Sequence, residues 1–365
     1  MVLEDARLQQ ASLKAFVKEA DKMRSEDTPN LYPLASAYPI EEVEEIENVY
    51  NIVEQQINAS ASITGFNAGA PIKNKGQGKQ AIASLTKIQN ANFLDEIEMY
   101  HYRNPRNDAE RQKIVDGVLM DTNELSVSVD DTVEYIRSQM AYNGRVDYLD
   151  PMTQTRLTFD LDRPEENNVT VASEWGTDEA TPVTDLQNAV KQFQKTNGRK
   201  KPEVINMNST TYNKLVASGQ IKRELFNDTN SPRIVKDEDV TALFNSVKLP
   251  QIVIDDTETA IENELGEIET HEHLVDDKVV LRSSVLGSTM SGPSVENNFE
   301  KGKFVVTVID KDPVTEKTIV GQVVMPVTKN VNGTVHLNVA PETTNDGATD
   351  DSTTDGGTVD DGATA

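Results

Sequence analysis

Few residues in this chain have the type and spacing that chemistry needs. His271-Glu272-His273 brings together two of the four histidines. Positions two apart share one face of a strand, so the pair could hold a metal ion. No obvious third ligand stands nearby, and the acidic stretch from Glu262 to Asp277 makes an exposed loop the simpler expectation. Gly76-Gln77-Gly78-Lys79-Gln80 invites a phosphate-loop reading. It fails on two counts: Gln80 stands where a hydroxyl must follow the lysine, and Lys73 stands where the first glycine must be. Cysteine is absent, which excludes disulfides, thiolate zinc sites, iron–sulfur ligation and cysteine nucleophiles. There is no Gly-x-Ser-x-Gly elbow, no His-Glu-x-x-His pair and no dinucleotide fingerprint. The carboxylate pair Glu41/Glu42 belongs to an acidic run whose ordinary role is solvation. The expectation is therefore a protein without catalytic, cofactor or metal site, and not an enzyme.

Composition narrows the classes further. The 365 residues carry 35 basic and 61 acidic side chains, a net charge of −26. Phosphate-backbone affinity needs an excess of Lys and Arg, so an open nucleic-acid-binding surface is excluded. No apolar run approaches the roughly 18 residues that a membrane span needs. Acids at Glu4 and Asp5 oppose a secretory leader, and the reading is a soluble, intracellular product. The length suggests about two domains.

The charge is unevenly placed. Residues 341–365 hold Glu342, Asp346, Asp350, Asp351, Asp355, Asp360 and Asp361 with no Lys or Arg, and read as a disordered acidic tail. Residues 55–94 lack any acid and carry Lys73, Lys75, Lys79 and Lys87 among Gly65, Gly69, Pro71, Gly76 and Gly78. A Gly-rich segment of that length does not fit inside a compact domain; it reads as an arm or two-stranded loop projecting from the body. Ile63–Phe66 and Ala81–Leu85 could pair as its strands.

The remaining pattern supplies the framework. Leu3 to Arg24 is an amphipathic helix with Leu13, Phe16, Val17 and Ala20 near one face, ended by Asp27-Thr28-Pro29-Asn30. Glu41, Glu42, Glu44, Glu45 and Glu47 surround Val43, Ile46, Val49 and Tyr50 in an acidic helix candidate. From Asp108 to Tyr142, Ile114, Val118, Leu125, Val129, Val133, Ile136 and Met140 hold the helical period over many turns. Such a helix would be roughly 50 Å long, a strut along an elongated body, with Ser126-Val127-Ser128-Val129 as the place where it could kink. A compact α/β lobe begins near Trp175, a core or hinge anchor. Thr181 caps a helix with Pro182 at its first position, Glu203–Met207 is a buried strand, Ser209 caps a second helix, and Asp239–Phe244 forms a third. Gln251–Asp255, Lys278–Leu281, Phe304–Val308 and Thr318–Val324 are strands, and Asn332-Gly333 signals a final hairpin.

Three stretches carry a resemblance to a known family. Ile136 to Val146 is similar to the spine-helix end of the phage lambda capsid protein E family, within the Hong Kong 97-type major capsid proteins of tailed double-stranded DNA phages. Trp175 to Leu186 resembles that family's Trp…Ala-x-Pro-x-x-Asp-Leu signature, and Pro202 to Tyr212 its Pro-strand-Met-helix step. The acidic tail and Met140-Ala141-Tyr142 depart from the family pattern. The resemblance implies an α+β fold with residues 1–50 as N-terminal arm, 51–95 as extended loop and 175–299 as axial domain. Residues 96–174 and 300–340 would form the peripheral domain with its spine helix. It implies a major capsid protein that self-assembles through hexamers and pentamers into an icosahedral shell around double-stranded DNA, without sequence-specific binding. It further implies assembly in the host bacterial cytoplasm, a place in the virion, a separate scaffolding protein, a portal and a possible decoration protein. No membrane and no cofactor enter. An encapsulin-like compartment shell and a tail-tube virion protein are the alternatives. Lys73, Lys75 and Lys79 are candidate inter-subunit contacts, with Glu41, Glu42, Glu44 and Glu45 of a neighbouring copy as candidate targets. The same lysines are candidates for a covalent Lys–Asn crosslink by position.

Overall fold

The computed structural model describes residues 2–28, 31–52, 79–228, 233–263, 265–311 and 314–341. Lys73, Lys75, the Ile63–Phe66 strand candidate and the acidic tail from residue 342 lie outside them. The chain begins with α1 (Gln10–Asp27), β1 (Ile40–Glu42), β2 (Glu47–Ile52), β3 (Lys79–Ser84), β4 (Thr86–Leu94) and α2 (Glu96–Arg103). The long helix α3 (Asp108–Ser138) follows, then β5 (Arg145–Leu149), β6 (Arg156–Asp160) and β7 (Asn168–Thr170). Next come α4 (Pro182–Thr196), β8 (Val204–Met207), α5 (Ser209–Ala217), α6 (Gly219–Phe226), α7 (Asp237–Ser246) and β9 (Gln251–Ile254). The last part is all strand: β10 (Glu258–Glu262), β11 (Ile268–Glu272), β12 (Lys278–Arg282), β13 (Gly287–Ser291), β14 (Phe304–Lys311), β15 (Val314–Thr328) and β16 (Thr334–Asn338).

Two five-stranded sheets organise the molecule. In one, β15 is the common partner of β13, β14 and β4, and β1 pairs parallel with β13 at the edge. In the other, the order is β7-β16-β12-β8-β9. The second sheet packs against α4 to α7 around Trp175, Leu186, Phe193, Ile205 and Met207, all buried. Trp175 is a core anchor: its Nε1 donates to Asp185 Oδ2 at 3.1 Å. In the first sheet, Gly321 permits a close approach, because a Cβ there would sit 2.6 Å from Gln89 Cβ and from Phe304 Cζ.

α3 is the strut that its period implied. Asn107 caps it by accepting from the Glu110 amide at 2.8 Å. At 1.5 Å per residue its 31 residues span about 46 Å. It runs unbroken through Ser126–Val129; Ser128 turns its hydroxyl back to the Leu125 carbonyl at 2.9 Å. The final turn, Gln139–Asn143, widens to a π-turn, and Gly144 at φ 71° ends it in the left-handed region.

The structure corrects four local expectations. The acidic stretch 41–50 is two strands, not a helix: β1 takes its hydrogen bonds from β13, and β2 pairs antiparallel with β3. Ala81–Ser84 therefore finds its described partner in Glu47–Ile52. The Asn332-Gly333 hairpin does not form. Residues 331–333 make a single 3₁₀ turn that carries the chain from β15 in one sheet to β16 in the other, where β16 pairs with β12 and β7. Asn208, one residue before Ser209, caps α5 by accepting from the Thr211 amide. Thr181 precedes α4, but its hydroxyl makes no capping bond to the backbone.

Candidate assembly interface

β2 and β3 form a separate two-stranded ribbon. Along β2 the burial alternates, with Asn48, Tyr50 and Ile52 turned inward and Glu47, Val49 and Asn51 outward. The inner face joins the subunit: Ala83 and Leu85 are buried with Tyr50 beside Ile136 of α3 and Met140 of the π-turn that follows it. The ribbon base is fastened by the Leu85 amide, which donates to the Ile46 carbonyl at 2.9 Å. Its outer face carries one apolar pair, flanked by the polar pairs Glu47/Ser84 and Asn51/Gln80. Val49 and Ile82 lie opposite each other in register and are 64% and 72% exposed. Ile40 and Ile46 on the same stretch are exposed as well. A two-stranded ribbon is marginal alone, and among the described residues nothing covers the apolar pair on its outer face.

Three of the four acidic candidates, Glu41, Glu42 and Glu44, are engaged inside the chain. Glu41 accepts from Lys329 Nζ and from the Ser288 hydroxyl, and Lys329 holds its carboxyl below the ordinary range. Lys301 Nζ lies 2.6 Å from Glu44 and 3.7 Å from Glu42, and Glu44 raises the lysine above its usual value. Glu45 has no ion pair among the described residues; its carbonyl accepts from the Asn48 side chain. Lys79 opens β3 in register with Ile52. Lys87 pairs with Glu296 and lies 5.4 Å over the Phe304 ring.

The N-terminal helix is docked on its own subunit. Leu13 and Val17 are buried with Val118 and Leu125 of α3. Lys303 Nζ bridges Asp21 at 2.9 Å and Asp130 at 2.8 Å, and Arg24 reaches Asp130 at 3.0 Å. Burial pushes Asp130 upward despite Lys303. Glu316, fully buried on β15, accepts from the amides of Val2 and Leu3 at 2.9 and 2.7 Å. Glu316→Ala strands both amides without an acceptor. It should cost roughly 2–4 kcal/mol of local stability and speed tryptic cleavage at Arg7 severalfold. Unchanged cleavage would remove Glu316 as the pin.

His271 lies in β11 and His273 directly follows the strand, in place of the exposed loop expected there. His273 is buried, 2.7 Å from the Thr259 hydroxyl, and burial pushes it down to about 4. His271 is half-exposed at 4.0 Å from Glu269, and Tyr135 lies against both imidazoles. Among the described residues no group of three His, Cys, Asp or Glu side chains could hold a metal ion. Because His273 titrates lower folded than unfolded, its contribution to stability is present above pH 6.5 and lost as pH falls toward 4. The loss reaches at most about 3 kcal/mol. Urea midpoints of His273→Gln should show a flatter acid limb than the parent; parallel curves would contradict this.

The outward pair Val49/Ile82 was not singled out by sequence reading. Ala81-Ile82-Ala83 was legible as a strand, but which face met water depended on Val49, a pairing partner 33 residues upstream of Ile82. Among the described residues no helix is long and apolar enough to cross a membrane.

A profile of the family described as "Phage major capsid protein E" matches residues 47–339. Two solved structures are similar in fold. A prophage protein of Escherichia coli CFT073, described as a capsid protein, has a TM-score of 0.56 at 14% identity, covering 91% of this chain and 99% of that one. A phage-related protein of Bordetella bronchiseptica RB50 has a TM-score of 0.52 at 12% identity, covering 89% and 96%. No sequence among the curated proteins matches.

Proposed function

We infer that this chain, which belongs to the phage major capsid protein E family and is a capsid shell protein of the Hong Kong 97-type α+β fold, closes its shell by laying the β2–β3 ribbon on a neighbouring copy. The observation that carries this is the solvent-facing Val49–Ile82 pair on a ribbon held to its subunit by the opposite face. Family membership favours a head protein over a compartment shell or a tail tube.

The finer picture is an icosahedral head of hexamers and pentamers around double-stranded DNA, built in the host bacterial cytoplasm on a separate scaffolding protein. It joins a portal and can take a decoration protein. The net charge of −26 supports enclosure without tight binding, since a wall that gripped phosphate would hinder packaging and release. In this picture residues 1–50 are the arm, 51–95 the extended loop, 96–174 with 300–340 the peripheral domain, and 175–299 the axial domain. The sheet membership of β13 supports moving the axial boundary to just before Gly287, since β13 pairs with β15. Glu41, Glu42 and Glu44 already carry lysines of their own subunit, which supports apolar contact as the main attraction and Lys73, Lys75 and Lys79 as secondary contacts. Negative-stain microscopy of the expressed chain, alone and with its neighbouring genes, tests this reading. Closed, uniform particles are expected; open tubes or only monomers would overturn it.

A further inference from the structure

A cavity of ≈ 490 Å³ lies over the edge of the second sheet, between β7, β16, the start of β12 and the last turn after α3. Its cationic groups are Arg163 and Lys278, and His336 forms part of the same wall. Each is substantially withdrawn from water. Arg163 Nη1 is buried and has no hydrogen-bond partner among the described residues, while its other amino group donates to Asn168 Oδ1. Lys278 Nζ donates to Asn143 Oδ1 at 3.0 Å, a neutral partner. His336 Nε2 donates to the Ala141 carbonyl at 3.1 Å.

The two cations repel each other, and both oppose protonation of His336. Burial and then Arg163 push Lys278 down to about 8, and burial lowers Arg163 to about 10. Burial, Arg163 and Lys278 together keep His336 neutral. Two carboxylates also line the cavity, and neither is bonded to Arg163 or Lys278: Asp277 pairs with Lys214 at 2.5 Å, and Asp276 accepts from the neutral Asn208 amide at 2.6 Å. Two partly buried cations whose direct partners are neutral amides are unfavourable unless something negative completes the set.

We propose that this cavity is an oxyanion site, in which Arg163 and Lys278 clamp a carboxylate or phosphate and the Asn143 and Asn168 side chains frame it. A guanidinium presents paired donors to two oxygens of such a group, and the ammonium adds a point charge. Two sources share this chemistry. One is a free phosphate ion. The other is an acid of residues 342–361, a run that begins four residues after Asn338 of the cavity wall and contains seven acids and no base. The inference does not depend on the shell reading.

Calorimetric titration of inorganic phosphate into four full-length proteins tests it. These are the parent, Lys278→Met, a chain with its terminal acids neutralised, and that chain with Lys278→Met added. The neutralised chain carries Glu342→Gln with Asp346, Asp350, Asp351, Asp355, Asp360 and Asp361 each changed to Asn. If phosphate is the occupant, parent and neutralised chain bind it equally, and Lys278→Met weakens binding at least tenfold in both. If a carboxylate of the run is the occupant, the neutralised chain binds phosphate at least tenfold more tightly than the parent, and Lys278→Met removes the gain. No phosphate binding in any chain, or binding indifferent to Lys278, overturns the proposal. The melting temperature of the neutralised chain in phosphate-free buffer gives an independent readout. Lys278→Met should leave it equal or higher, because one of two repelling cations is gone. A fall would make Lys278 a structural residue and overturn the proposal, and Arg163→Gln repeats the test on the second cation.

Discussion

Replacing Val49 and Ile82 together by aspartate should leave a folded subunit that no longer builds particles. The two side chains face each other across β2 and β3 and are 64% and 72% exposed, so the subunit itself gives up little apolar burial. Exposed substitutions of this kind shift monomer stability by about 0.5 kcal/mol, somewhat more here because two like charges would stand directly opposite. The assembled state is different. Each aliphatic side chain contributes roughly 1.5–3 kcal/mol when fully buried, and a carboxylate in its place would have to be desolvated without a partner. The loss recurs at every copy, so particle yield should fall at least a hundredfold while the melting curve barely moves. Size-exclusion chromatography and circular dichroism read the two quantities separately. Particles at parental yield would remove the ribbon from the interface.

Arg137→Met should be the most damaging single change to the fold. Glu134 and Arg137 are one helical turn apart on α3, with side chains only 1% and 8% exposed and 2.8 Å between Oε2 and Nη1. Glu134 Oε1 also accepts from the Leu34 amide at 2.7 Å, and Arg137 reaches the Thr289 hydroxyl from Nε and Nη2 at 3.0 and 2.9 Å. Thr289 in turn donates to the Tyr38 carbonyl at 2.8 Å. The pair thus joins α3, the segment after α1, and β13. Burial already pushes Glu134 upward, and Arg137 opposes that. Removing the arginine leaves a buried carboxylate alone, at a cost of about 3–5 kcal/mol. Protonating Glu134 relieves the charge, so the variant should regain stability as pH falls and lose it as pH rises. Adding Glu134→Gln should restore most of the urea midpoint at neutral pH. A single variant as stable as the parent would show that the pair is dispensable.

Much of the framework was legible because local and tertiary signals agreed. The apolar steps from Ile114 to Met140 gave α3, Pro182 marked the start of α4, and Phe304–Val308 and Thr318–Val324 became the antiparallel pair β14–β15. The acidic stretch misled because Val43, Ile46 and Val49 are spaced as on a helix. There the edge of β13 decides: the Val43 amide donates to the Ser291 carbonyl, and tertiary pairing overrides propensity. Asn332-Gly333 carried a local hairpin signal, but β15 had already filled its edges with β13, β14 and β4, so the chain crossed to the other sheet. The buried pins, Glu316 under the N-terminus and Glu134 beside Arg137, join residues about 314 and 100 positions apart, a separation that periodicity does not reveal. The proposed contact face was not legible in the sequence: the acid-free stretch from residue 55 falls largely outside the described residues, and the face required the register of β2 against β3.

Electron cryomicroscopy of the assembled particle tests the account most directly. It should show the β2–β3 ribbon of each copy reaching past its own subunit, with Val49 and Ile82 covered by a neighbour. A closed particle in which that face remains in solvent would contradict it.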